Sequence, residues 1–248
     1  MKKNLTSGLI FGLALMSGCS DKKADTPVAV PYNDQEKKER TETMATYIVQ
    51  EKLKPTKLDS ISQAQIDTHW ALYEGYVAQV NKLNQELADL CIAGKVDTPL
   101  YADRRRRYGF EYNGMVLHEY YFANMKAGNQ QLKDGDLKKA LEAGWGSYET
   151  WRQDFEAAGK SRSIGWAILY ADETTGALTN HFIQEHENGN VAGFVPILVL
   201  DVWEHAYMVD FGTAGRGKYI AVFMQNIDWD KAEQRYAAVK AGKIISRF

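Results

Sequence analysis

From Ser60 to about Leu90 the apolar residues Ile61, Ile66, Trp70, Tyr73, Val77, Val80, Leu83 and Leu87 recur at helical spacing, which predicts one long helix with Ser60 as its N-cap. Gly94 and Pro99 interrupt that pattern, and a second helix is predicted from roughly Asp103 to Met125, carrying Phe110, Met115, Leu117, Tyr121 and Phe122. The two form an antiparallel helical hairpin. Residues 133–160 hold two shorter helical segments divided near Gly144-Trp145-Gly146, with Ser147 capping the second. After Gly165 the pattern turns strand-like: Trp166 to Tyr170, a turn at Thr174-Thr175-Gly176, then Leu178 to Gln184 and Phe194 to Leu200. Helices at about 216–226 and 229–243 follow. The fold class is therefore α+β: an N-terminal antiparallel helical hairpin (46–128), then a C-terminal α/β unit (129–248) with a small three-stranded antiparallel sheet.

The first residues follow a different logic. Lys2 and Lys3 precede an apolar run from Leu5 to Met16, too short to span a bilayer comfortably, so residues 1–18 are expected to be a signal peptide. The run ends in Met16-Ser17-Gly18-Cys19, similar to a bacterial lipobox, in which the Cys is lipid-modified and becomes the first mature residue. Met16 departs from the usual Leu. Residues 19–45, rich in Lys, Asp, Glu and Pro, are expected to form a solvated tether. This places the protein in a bacterial cell envelope, exported and membrane-anchored through Cys19. Cys91 is then left without an intramolecular partner, so disulfides contribute nothing to stability.

Over 248 residues, 45% hydrophobic and 25% charged, the chain can bury a sizeable core. A formal net charge of -2 argues against an extended nucleic-acid footprint.

The chemistry is concentrated at the end of the last apolar run. Directly after Val195-Pro196-Ile197-Leu198-Val199-Leu200 come Asp201 and His205, a carboxylate and an imidazole four residues apart. Taken alone, the pair could equally be a turn-capping Asp and a packed core His. Only five His exist, however, and two more, His69 and His118, sit within the two long predicted helices. A carboxylate mixed with imidazoles selects a transition metal such as iron or manganese rather than a hard-oxygen cage.

At these residues the sequence resembles the iron/manganese superoxide dismutase family, over nearly all of 60–243. The resemblance rests on Asp201-Val202-Trp203-Glu204-His205-Ala206-Tyr207, on Gly165-Trp166, on Gly193-Phe194-Val195-Pro196 and on Asn226-Ile227-Asp228-Trp229. It implies one Fe or Mn ion per subunit, with Fe slightly favoured, held by His69, His118, Asp201 and His205. Superoxide is the implied substrate. Disproportionating it needs a metal that changes valence, which excludes zinc.

The resemblance also implies roles around the ion. Family members use a Gln or His to bond metal-bound solvent; one of its two positions holds Gly114 here, and the other points to His186, fifteen residues before Asp201. Trp166 and Trp203 are expected to wall the pocket, and Glu204 to reach the partner subunit of a homodimer. Tyr76 is the gateway candidate, with Tyr73 close behind. Here the chain departs from the family: His69 to Tyr76 is seven steps instead of the usual eight, Tyr73 stands where a His is usual, and Met208 stands where a second Tyr is common. Those departures motivate a competing expectation, a non-catalytic metal-binding lipoprotein that kept the fold. A hydrolase is disfavoured, because no further carboxylate or nucleophile pairs with the metal set.

Arg104-Arg105-Arg106-Arg107 is read as a solvated helix start or a face for anionic headgroups before an anion-steering patch. The stretch from Gly212 to Gly217 lacks a following Lys-Ser/Thr and is read as a loop, with Arg216 as a candidate pocket arginine.

Overall fold

Ser62, not Ser60, starts the first long helix in the computed structural model, which describes residues 45–248. The Ser62 hydroxyl accepts the Gln65 N–H at 3.1 Å. Ser60 instead occupies the left-handed region, with φ 58°, in the turn just before. Helix α1 then runs Gln63–Ile92, burying Ile66, Trp70, Tyr73, Val77, Val80, Leu83 and Leu87 along one stripe.

Helix α2 spans Pro99–Ala123. Pro99 does not break this helix but opens it, because at the first position its missing N–H is one the helix leaves unpaired anyway. Thr98 caps it through the Tyr101 N–H. Glu86, late in α1, pairs with Arg104, early in α2, while His69, early in α1, meets His118, late in α2. The hairpin is thus antiparallel, as expected of two long helices joined by a short break.

Two short helices follow, α3 at Asp136–Trp145 and α4 at Tyr148–Gly159. Gly146 supplies the left-handed break between them, and Ser147 caps α4 by accepting the Thr150 N–H. The sheet comprises β1 (Gly165–Asp172), β2 (Leu178–Gln184) and β3 (Phe194–Asp201), in the order β2-β1-β3 with both pairings antiparallel. Its register sets Trp166 between Ile183 on one side and Asp201 on the other. At Gly165 a Cβ would stand 1.9 Å from the Ile183 carbonyl oxygen, so only glycine permits the sheet to begin there.

Beyond β3 the chain makes a 3-10 turn at Glu204–Ala206 and a one-turn helix, α5, at Met208–Phe211. Neither has enough residues to show a period, and the sequence reading missed both. Helix α6 (Arg216–Gln225) follows the glycine loop, and α7 (Trp229–Lys240) is capped by Asp228. The predicted end of α7 at 243 overshoots, because Gly242 turns left-handed at φ 60°.

One cluster of buried apolar side chains extends from Leu58 to Val239 and joins hairpin to sheet. Asn124 fastens the seam. Its amide donates to the Tyr121 and Val199 carbonyls and its oxygen accepts the Val199 N–H, so the end of α2 is hydrogen-bonded to β3.

Candidate metal centre

His69 and His118 project from facing turns of α1 and α2, Asp201 is the last residue of β3, and His205 lies in the 3-10 turn beyond it. One ligand atom from each falls within 4.8 Å of all the others. The Asp201 Oδ2 stands 3.0 Å from His69 Nε2, 3.1 Å from His205 Nε2 and 3.7 Å from His118 Nε2. Ligands about 2.1 Å from a shared metal at bond angles of about 90–120° would stand roughly 3.0–3.6 Å apart, and the three separations from Asp201 Oδ2 lie in or close to that range.

Second partners orient the group. His118 Nδ1–H donates to the Gly114 carbonyl at 2.6 Å, which leaves Nε2 as a lone pair. That atom is buried and has no hydrogen-bond partner among the described residues. Asp201 Oδ1 accepts the Trp203 N–H at 2.8 Å, fixing the carboxylate so that Oδ2 faces the imidazoles. An orphaned lone pair in a dry pocket is costly unless something accepts it, and a cation shared with Asp201 removes the cost.

The protonation states agree with that role. Burial pushes the His118 imidazole well below its ordinary pKa, with the neighbouring His69 adding to the effect. Burial likewise lowers His69. For Asp201 burial acts upward, but the His205 and His69 imidazoles together outweigh it and leave the carboxyl below its usual range. Neutral His69 and His118 beside an ionised Asp201 are the forms that bind metal.

His186 does not join the cluster; it stands beside it. Its Nδ1 accepts the Trp166 indole N–H at 3.0 Å, which places the ring proton on Nε2, 2.6 Å from the Tyr76 hydroxyl oxygen. Burial lowers this imidazole to about 4, so it is neutral near pH 7. Trp203 stacks on His186 at 4.7 Å between centroids, and Trp166 meets His118 edge-on at 5.0 Å. Both tryptophans therefore wall the pocket.

Tyr76 lines a groove of about 540 Å³ between α1 and α2, together with Leu72, Gln79, Arg107 and Glu111. Its ring lies against Gly114, where a Cβ would come within 2.6 Å of it. Tyr73, the second gateway candidate, is corrected by the structure. It is fully buried, its hydroxyl donating to Glu119 at 3.2 Å and accepting the Gln50 N–H at 3.0 Å. Residues three apart on a helix diverge by about 60°, enough to put Tyr76 and Tyr73 on opposite flanks of the seam.

The remaining candidates fall outside the cluster. Glu204 is exposed on the 3-10 turn, and Cys19 lies outside the described residues. Arg216 donates to the Gly159 and Ser163 carbonyls and so clamps the loop before β1. In the arginine run, Arg104 and Arg106 pair with Asp103 and Arg107 with Glu111, which offsets most of its field. Sequence reasoning missed Glu119 and Asn124, both buried, and the half-buried Arg247, whose partners come from distant segments. Glu119 adjoins His118 in the chain, but nothing in its local pattern distinguishes it from a solvated helix residue.

Three imidazoles and a carboxylate meeting between a helical hairpin and a three-stranded sheet define an α+β protein with a candidate mononuclear metal centre. Comparison with known proteins places that architecture. The family model for the C-terminal domain of iron/manganese superoxide dismutases matches residues 133–235. The chain is 35% identical over 202 residues to the superoxide dismutase [Fe] of Aquifex pyrophilus, covering 79% of this chain and 94% of the relative. It is 36% identical over 187 residues to the superoxide dismutase [Fe] of Cupriavidus metallidurans, covering 74% and 92%. The superoxide dismutase [Mn] 2 of Haloferax volcanii is 35% identical over 170 residues, covering 68% and 82%. The chain belongs to the iron/manganese superoxide dismutase family.

Proposed function

We propose that the protein dismutes superoxide to oxygen and hydrogen peroxide at one iron or manganese ion held by His69, His118, Asp201 and His205. The observation that carries this reading is the buried His118 Nε2, without a hydrogen-bond partner among the described residues and grouped with two other imidazoles around a single Asp201 oxygen. Bound there, the metal supplies one-electron cycling between two valences, a chemistry zinc lacks.

The protein's own groups supply access and protons. Trp166, Trp203 and Phe110 pack around His186 and exclude water, so polar contacts inside the pocket are strengthened. His186 Nε2–H occupies the Tyr76 oxygen, leaving the Tyr76 hydroxyl proton free to point along the groove. An anion arriving through the groove meets a hydrogen-bond donor, and burial keeps that phenol protonated by raising its pKa.

Iron is the preferred metal in this reading, supported by the pairing of Gly114 with His186 in place of a donor on α2. The relatives include enzymes named for either metal. Their names lend nothing to a non-catalytic metal-binding lipoprotein. The exposed apolar side chains of Met208 and Val209, four and five residues beyond the exposed Glu204, support a homodimer, which light scattering of the purified protein tests. The Met16-Ser17-Gly18-Cys19 motif supports export and lipid attachment at Cys19 on the bacterial cell envelope, tested by mass spectrometry of the N-terminal peptide.

Protein lacking residues 1–19, loaded separately with each metal and quantified by elemental analysis, should dismute superoxide with one ion per chain. Full occupancy with iron and with manganese but no turnover in either form would overturn the proposal.

A further inference from the structure

Two hydrogen-bonded side chains cross the helical hairpin one step behind the candidate ligands. Tyr73 is one helical turn after His69 in α1, and Glu119 directly follows His118 in α2; the Tyr73 hydroxyl donates to Glu119 Oε1 at 3.2 Å. Glu119 is only 3% exposed. A carboxylate so buried needs charge compensation, which comes from Arg247, its Nη1 standing 3.1 Å from Glu119 Oε2.

Arg247 is itself held in place. Its carbonyl accepts from Arg235 Nη2 of α7 at 2.8 Å. The adjoining Phe248 ring receives Lys52 Nζ at 4.6 Å, and Ile245 packs on the core. On the other side Tyr73 accepts the Gln50 N–H. Segments 45–53 and 241–248, far apart in sequence, therefore both close on the contact between Tyr73 and Glu119.

We infer that Tyr73, Glu119 and Arg247 act as positioning residues for the metal centre, tying α1 to α2 so that His69 and His118 stay in register. Both imidazoles depend on the relative slide and rotation of two helices, and Phe122 transmits that placement by contacting the His69 and Tyr73 rings at 5.0 and 6.2 Å. The inference rests on the proposed ligation by those histidines. It assigns work to a tyrosine that is turned away from the groove, and to an arginine that no coordination motif contains.

The test uses the iron-loaded protein and follows iron loss to excess EDTA at 25 °C, together with the EPR spectrum. Arg247→Met strands the buried carboxylate and should speed iron loss about tenfold and alter the EPR line shape. Adding Glu119→Gln removes the stranded charge and should bring both readouts back towards wild type, as should Arg247→Lys in place of Met. Tyr73→Phe, which deletes one hydroxyl and keeps the ring, should move both in the same direction to a smaller extent, and it decides the matter should Arg247→Met fail to fold. Unchanged EPR and EDTA kinetics in Tyr73→Phe and Arg247→Met, with melting temperature alone lowered, would overturn the positioning role. A wild-type protein that takes up neither iron nor manganese would instead overturn the ligand assignment, and this inference with it.

Discussion

Replacing Gly114 with alanine tests how the pocket is assembled. The added Cβ would stand 2.6, 2.7 and 3.0 Å from three atoms of the Tyr76 ring, which must retreat by about 0.9 Å to reach ordinary carbon contact near 3.5 Å. It cannot move inward, because the His118 ring lies 5.1 Å away on that side, so it swings towards the groove and lengthens the 2.6 Å contact with His186 Nε2. Overpacking costs about 1–3 kcal/mol and the lost hydrogen bond about 1 kcal/mol, while alanine in a helix returns about 1 kcal/mol. The net is a destabilisation of roughly 1–3 kcal/mol, read as a lower midpoint in urea. The Gly114 carbonyl that orients His118 belongs to the backbone and survives the substitution, so metal content should remain at wild-type level. Turnover should fall about a hundredfold, as when a positioned proton donor is lost. Full activity with full metal content would refute the reasoning that the Tyr76 and His186 contact serves catalysis; loss of metal would refute the claim that the added methyl group acts through Tyr76 alone.

Other outcomes follow from the same geometry. His118→Ala should abolish metal retention by elemental analysis, whereas His186→Ala should retain metal and shift its reduction potential, since only the former donates a lone pair to the cluster. Ser62→Ala should cost about 1 kcal/mol in chemical denaturation through loss of the α1 cap, while Ser60→Gly should be neutral or stabilising, because Ser60 already adopts a left-handed conformation. The Thr175 and Thr174 N–H groups donate to Asp172 and hold its carboxyl below the ordinary range, so the native state binds fewer protons than the unfolded chain. That stabilisation is present above the ordinary carboxylate range and fades as pH falls through the lowered native value. The difference in melting temperature between wild type and Asp172→Asn should therefore shrink on acidification; a difference that grows would contradict the shift.

Much of the fold was legible in one dimension because burial imposes a period. The stripe from Ile66 to Leu87, the β-branched run ending at Leu200 and the Ser147 cap each carry their own local signal, and each formed where that signal placed it. Errors gathered at boundaries. Ser60 and Ser62 are chemically identical as caps, and only the backbone turn between them selects Ser62; Pro99 reads as a breaker or an opener according to which side of it the helix lies. The turns at Glu204–Ala206 and Met208–Phe211 are shorter than any period that could announce them.

The amino-acid order by itself determined the longer elements, their faces and the four residues, three His and one Asp, suited to an ion of variable valence. It did so because periodicity and ligand chemistry are properties of neighbouring residues. Which lone pair is left without a partner, which tyrosine faces the groove and which turns to Glu119, and that Arg247 closes behind the hairpin were decided only in three dimensions. Those facts depend on the rotation of α1 against α2 and on contacts between segments separated by much of the chain, and side-chain direction across such distances leaves no local trace.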